Sequence, residues 1–257
     1  MMQPYDQWHA KFRLQPEEAL TVVHIPARMG SSRIARKNAK PLNGLPLLAY
    51  SIRMARALPE VDRVYVNTES PELAELARHY GASIPFLRPA HLATTNVPMQ
   101  HAVQYFYDWL FQQPETVKKV VTFYPTSPFR NRERMRHFIR KMDDCVLSHF
   151  VMPVTGSAAS GVDWRYLRTE NPTRELVSPL RPRGEALQPD PMFKTLGTFI
   201  GHSCHTRWGE PHLQNLFLPA DPIEAVDLDE PEDWDLAESL LAAGLYDFGM
   251  DMYANIS

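Results

Sequence analysis

Apolar runs and helical stripes alternate along the chain. Leu20–Ile25 is a short, nearly continuous apolar run and reads as a buried strand. Leu47, Leu48, Ile52 and Ala55 then fall on one side of a helix expected over Pro46–Leu58, and Arg63–Asn67 reads as a second strand. Ser70 is placed as an N-cap with Pro71 at the first helical position. Leu73, Leu76, Ala77 and Tyr80 repeat at helical spacing until Gly81. The pattern predicts a short strand at Ile84–Leu87, a helix over Met99–Gln112, a β-branched strand at Lys119–Tyr124 and a helix from Asn131. Strands are expected again at Phe150–Val154, Leu196–Ile200 and Ile223–Val226. A final helix opens at Pro231 and carries Leu236, Ala237, Leu240 and Leu241.

This alternation predicts an α/β fold, Rossmann-like, with a mostly parallel sheet and helices on both faces. At 257 residues and 44% hydrophobic composition the chain can bury one sizeable core. The expected organisation is an N-terminal extension over residues 1–19, a main domain over 20–245 and a C-terminal tail over 246–257. Periodicity breaks between Gly156 and Phe193, so residues 156–195 are expected to form a lid, a substrate segment or a dimerisation arm.

A net charge of −3 argues against a nucleic-acid partner for the molecule as a whole. The two cysteines, Cys145 and Cys204, form no disulfide framework or metal spacing, which points to a reducing cytoplasm. Residues 1–18 lack the apolar core of a signal peptide. No apolar run reaches membrane-spanning length, so no membrane partner is expected.

Charge does concentrate after the first strand, where Ala27, Arg28, Gly30, Ser31, Arg33, Arg36, Lys37 and Asn38 form a basic loop of small residues. Small residues let backbone amides approach phosphate oxygens, and Arg and Lys supply the charge. The loop lacks the Gly-Lys-Ser/Thr ending of a Walker motif. Asp227 and Asp229, two apart, would share one side of an extended segment and could hold Mg²⁺. Equally, they could cap the helix from Pro231. Thr126 and Ser127 read either as ligand contacts or as an ordinary strand exit. In open α/β sheets, ligands gather at the carboxyl ends of strands, where these three loops would meet.

Four ordered motifs carry a resemblance to the cytidylyltransferases that activate nonulosonic and related keto-sugar acids. The first is Ile25-Pro26-Ala27-Arg28, followed by Ser31, Lys37 and Asn38, then Pro41, Leu42, Gly44, Pro46 and Tyr50. The second is Arg88-Pro89 with Leu92-Ala93, the third Tyr124-Pro125-Thr126-Ser127-Pro128-Phe129, and the fourth Asp227-Leu228-Asp229 with Glu232-Asp233. They span about Val22 to Leu241. Arg33-Ile34, the tyrosine at Tyr124 and the strand Phe150–Thr155 most resemble the pseudaminic acid branch.

The resemblance implies an enzyme, expected as a homodimer, that transfers CMP from CTP to a nonulosonic acid and releases pyrophosphate, with Mg²⁺ as cofactor. It places Ala27, Arg28, Gly30, Ser31, Lys37, Asn38 and Arg88 at the nucleotide. Arg28, Arg33 and Lys37 would be the catalytic cations, Asp227 and Asp229 the metal ligands. Tyr124, Thr126, Ser127, Arg183 and Gln188 would lie at the sugar. Arg183 also reads as a solvated loop charge. An octulosonic acid acceptor, another nucleotide such as GTP, and a catalytically silent binding protein are the alternatives. The chain departs from the family pattern at Ser32, where lysine is common, at Ala35, where proline is common, at Thr94 and Thr95, and over Arg183–Asp190.

Overall fold

The computed structural model describes residues 19–94, 96–144, 147–153, 175–179, 193–204 and 213–254. Its centre is a seven-stranded sheet of β1 (Leu20–Pro26), β4 (Arg63–Asn67), β5 (Val117–Thr122), β6 (Leu147–Pro153), β7 (Glu175–Pro179), β8 (Phe193–Ser203) and β9 (Leu213–Phe217), in the order β4-β1-β5-β8-β6-β9-β7. The strands β4, β1, β5, β6 and β9 run in one direction, and β8 and β7 oppose them. The two-residue strands β2 (Pro41–Leu42) and β3 (Leu45–Pro46) form a separate hairpin. Asn43 and Gly44 adopt positive φ at its tip, where Gly44 costs no side-chain clash.

Among the described residues, five α-helices accompany the sheet: α1 (Leu47–Arg56), α2 (Pro71–His79), α3 (Met99–Leu110), α4 (Arg132–Lys141) and α5 (Pro231–Ala242). Local chemistry sets their ends. The Ser70 hydroxyl accepts from Leu73 N at 3.3 Å, Pro71 opens α2, and Gly81 at φ 88° follows its end. Asn131 Oδ1 accepts from Glu133 N and Arg134 N at 3.1 and 3.2 Å at the start of α4.

Strand alternation divides the interior into two cores. Val23 and Ile25 of β1 and Val121 of β5 face a large cluster with Leu48 and Ile52 of α1, Leu73 of α2, Phe138 of α4 and Trp234 of α5. Val22 and Val120 point the other way, onto Phe106, Tyr107 and Leu110 of α3. The sheet therefore has helices on both faces. Residues 246–254 also contribute to the main core, where Phe248 and Met252 are buried and the Tyr253 hydroxyl meets that of Tyr50 at 2.7 Å.

Two expected strands take another form. No strand forms at Ile84–Leu87, and the chain there makes only isolated bridges at its two ends, Ser83 with Tyr65 of β4 and Leu87 with Thr68 just past β4. Pro85 lacks the amide a continuous ladder would need. Ile223–Val226 is a 3-10 turn over Pro222–Ala225, because the Asp221 carboxylate accepts from Ile223 N at 2.8 Å and starts a tight turn after Pro222.

Candidate active site

The loop after β1, the turn after β5 and the acidic segment before α5 meet at one end of the sheet, where the parallel strands β4, β1 and β5 leave their carboxyl termini. Leu228 is the knot. Its amide donates to Thr126 O at 2.7 Å, and its carbonyl accepts from Lys37 Nζ at 2.6 Å. Its side chain is fully buried, and Asp229 N donates back to Asp227 O at 3.0 Å, so the two aspartates flank a tight turn at Leu228.

Lys37 is buried and also reaches Asp229 Oδ1 at 3.0 Å. Arg33 lies over the same turn, 2.6 Å from Glu230 Oε1 and 3.6 Å from Asp229 Oδ2. The hydrogen bond to Glu230, with the nearby charges of Asp229 and Glu230, holds the Arg33 guanidinium above its ordinary pKa. The helix-cap alternative for the two aspartates fails: Asp233 Oδ2 accepts from Asp229 N at 3.0 Å and from Glu230 N at 2.7 Å. Asp227 Oδ1 is buried without a hydrogen-bond partner.

The other side of the loop turns toward β4. Ala27 N donates to Asn67 O at 3.0 Å, and Asn38 Nδ2 donates to Arg28 O at 2.8 Å. Arg28 Nη1 donates to Thr94 O at 3.0 Å. Arg88 is buried, and its Nη2 donates to Ala27 O at 3.2 Å and to Glu69 Oε2 at 3.0 Å, while its Nε is buried without a partner. Gly30 is exposed and a Cβ there would meet nothing within 4 Å, so the protein itself does not demand glycine. Ser31 is half-buried beside it. Arg36, at φ 52°, pairs with Glu72 of α2, which turns it away from the acidic turn.

The turn after β5 is fitted closely to β8. Tyr124 N donates to Gly197 O at 2.9 Å, and a Cβ on Gly197 would lie 2.7 Å from Tyr124 Cβ and 3.0 Å from Ser127 Oγ. Glycine is required there. Ser127 Oγ is buried without a partner, Thr126 is half-buried, and burial pushes the Tyr124 phenol up. Arg183 and Gln188 lie outside the described residues, as do residues 1–18 and most of 156–195.

Two contributors escape the sequence pattern. Glu69 holds Met29 N at 2.8 Å as well as Arg88, so it ties the loop to the Arg88 segment. Arg130 is fully buried, stacks 4.5 Å over Phe123 and donates to Tyr124 O, Gly197 O, Thr198 O and the Ser51 hydroxyl at 2.7–3.1 Å. Burial lowers its pKa to about 9. Its only sequence signal was its place directly after the Pro-Thr-Ser-Pro turn.

The arrangement brings cations, backbone groups and carboxylates together at one end of the sheet. Two carboxylates on one segment, one with an unused buried oxygen, suit Mg²⁺, which takes few protein ligands and completes its shell with water and phosphate. Among the described residues no group of three or more His, Cys, Asp and Glu offers a closed metal cage.

Residues 22–144 match the family described as Cytidylyltransferase. The chain is 30% identical over 237 residues to CMP-N,N'-diacetyllegionaminic acid synthase of Legionella pneumophila, covering 84% of this chain and 94% of that protein. It is 35% identical over 117 residues to pseudaminic acid cytidylyltransferase of Campylobacter jejuni, covering 46% of this chain and 50% of the relative. The fold is similar to a solved CMP:2-keto-3-deoxy-manno-octonic acid synthetase complexed with CTP, at a TM-score of 0.59 and 15% identity, covering 88% of this chain and 100% of that one. With 30% identity over 84% of its length to the Legionella enzyme, the chain belongs to the family of CMP-nonulosonic acid cytidylyltransferases.

Proposed function

We propose that this enzyme transfers CMP from CTP to the anomeric hydroxyl of a nonulosonic acid. The hydroxyl oxygen attacks the α-phosphorus, the bond to the β-phosphate bridge breaks, and pyrophosphate leaves with the charge. The observation that carries this reading is the junction at Leu228, which fastens the basic loop through Lys37 and the Tyr124–Pro128 turn through Thr126 to the Asp227/Asp229 segment.

Roles follow from position. Arg28, Gly30, Ser31 and Asn38 line the triphosphate, while the amides of Ala27 and Met29 are spent on Asn67 O and Glu69 and hold the loop in place. Arg88, with its unpaired Nε and its bond to Ala27 O, lies at the base. Lys37 and Arg33 stand beside the acidic turn, where charge builds on the leaving pyrophosphate. Donors fixed in advance at such a place stabilise the transition state more than the ground state. Asp227 and Asp229 would hold Mg²⁺, which supplies further positive charge to the phosphates when bound. Tyr124, Thr126 and Ser127 belong to the acceptor side, and family resemblance assigns Arg183 and Gln188, which lie outside the described residues, to the sugar as well. A cytoplasmic homodimer is part of the same reading, supported by family resemblance and by the absence of a disulfide framework in the sequence.

The test is pyrophosphate release with CTP and Mg²⁺ against legionaminic, pseudaminic and sialic acids, with an octulosonic acid and GTP as the competing arms. Turnover is expected with CTP and a nonulosonic acid. A protein that binds CTP yet releases no pyrophosphate with any of these acids refutes the proposal.

A further inference from the structure

Asp229 is engaged on both oxygens by different cations, Oδ1 by Lys37 at 3.0 Å and Oδ2 by Arg33 at 3.6 Å. Arg33 spends its shortest contact, 2.6 Å, on the neighbouring Glu230. Glu230 belongs to neither proposed metal ligand, and no part of the proposed reaction uses it. Arg33 and Glu230 are each about half exposed, at 52% and 49%, so an entering anion can reach the pair.

We propose that Glu230 is a built-in competitor for the triphosphate, an internal carboxylate that occupies Arg33 until phosphate displaces it. The idea rests on the proposed function, since it takes Arg33 to be a phosphate-binding cation. A triphosphate entering without a divalent ion must pull Arg33 from Glu230 and Asp229 and approach an acidic turn whose charge no metal offsets. A divalent ion held by Asp227 and Asp229 would offset the charge of the turn and weaken the hold of Asp229 on Lys37 and Arg33. Glu230 therefore makes the site favour metal-bound over metal-free nucleotide, because the cost of freeing Arg33 falls mainly on the metal-free form.

The experiment is a two-residue cycle of wild type, Glu230→Gln, Arg33→Met and the double variant. Each is titrated with inorganic triphosphate and with CTP, in EDTA and in Mg²⁺, at low ionic strength. Glutamine keeps an acceptor oxygen and removes the charge. Exposed ion pairs couple weakly, so Glu230→Gln is expected to tighten metal-free inorganic triphosphate by about two- to fivefold. The gain should shrink in Mg²⁺ and vanish in the Arg33→Met background. An equal gain in both Arg33 backgrounds would mean plain charge repulsion and overturns the proposal. No gain at all, or no binding of inorganic triphosphate by any variant, overturns it too. If inorganic triphosphate follows the expected pattern while CTP shows no advantage over GTP, the competitor stands and the CTP reading fails.

Discussion

His24 should make this protein acid-sensitive in a way that one substitution removes. It sits on β1 two residues before the strand ends, fully buried, stacked on Phe106 at 4.0 Å with the planes 6° apart. Burial, with a smaller push from the Arg88 guanidinium, lowers its pKa from 6.5 to about 3. The imidazole is thus neutral in the folded protein across the range where the unfolded chain takes up a proton. The folded pKa is the lower one, so the contribution to stability is whole above pH 6.5 and is lost progressively as pH falls from there toward 3. Each tenfold rise in proton concentration within that window costs about 1.36 kcal/mol, so between pH 7 and pH 4.5 the loss from this group is about 2.5 kcal/mol. Replacing His24 with Phe keeps an aromatic ring on Phe106 and removes the titration. Urea unfolding of wild type and His24→Phe at the two pH values isolates the effect, since the carboxylates common to both cancel. The variant should lose about 2.5 kcal/mol less than wild type on acidification. Equal losses in the two proteins would refute the assignment of a buried neutral His24.

Three further outcomes follow from the site. Gly197→Ala forces a methyl against Tyr124 Cβ at 2.7 Å and Ser127 Oγ at 3.0 Å. It should cost about 1–3 kcal/mol in chemical unfolding, as overpacking does, and should raise the KM for the sugar acid more than that for CTP. Lys37→Met removes the cation at Leu228 O and Asp229, and should lower kcat by about 10²–10³, the scale seen for loss of a pre-oriented donor to developing charge. Steady-state pyrophosphate release measures it, and a kcat within a factor of about three of wild type would exclude Lys37 from that role. Chelation with EDTA should abolish pyrophosphate release and added Mg²⁺ should restore it; turnover that persists in EDTA would contradict the metal role of Asp227 and Asp229.

The meeting of the basic loop, the Pro-Thr-Ser-Pro turn and the acidic segment was legible because its parts are local. A strand, a basic loop of small residues and an Asp-x-Asp pair each declare themselves within a few positions, and their meeting follows from the sheet topology. Periodicity carried most helices for the same reason, with Ser70 and Asn131 marking starts that the hydrogen bonds bear out. What escaped was set by contacts far apart in sequence. Arg130 draws on Ser51, Tyr124, Gly197 and Thr198, and no local pattern distinguishes such an arginine from a solvated one. Glu69 reads as a surface acid before α2 until Met29 N and Arg88 are seen to close on it. Ile223–Val226 has the apolar content of a strand, but the Asp221 side chain competes for the backbone and makes a turn.

The buried cation Arg130 ties the Tyr124–Pro128 turn to β8 and lies near enough to the acidic segment for Asp227 to attract it. A guanidinium carried into the interior loses its hydration, and its lowered pKa registers that cost. The cost is offset by backbone carbonyls of the Tyr124 turn and β8, by Ser51 of α1 and by the attraction of Asp227. Thr198 extends the same lattice, its hydroxyl donating to Glu224 O at 3.1 Å, just upstream of the acidic segment. Shortening Arg130 would leave polar groups from three elements short of a partner and remove positive charge near Asp227. The carboxylate that the proposal gives to a metal therefore depends on an arginine no substrate needs to touch.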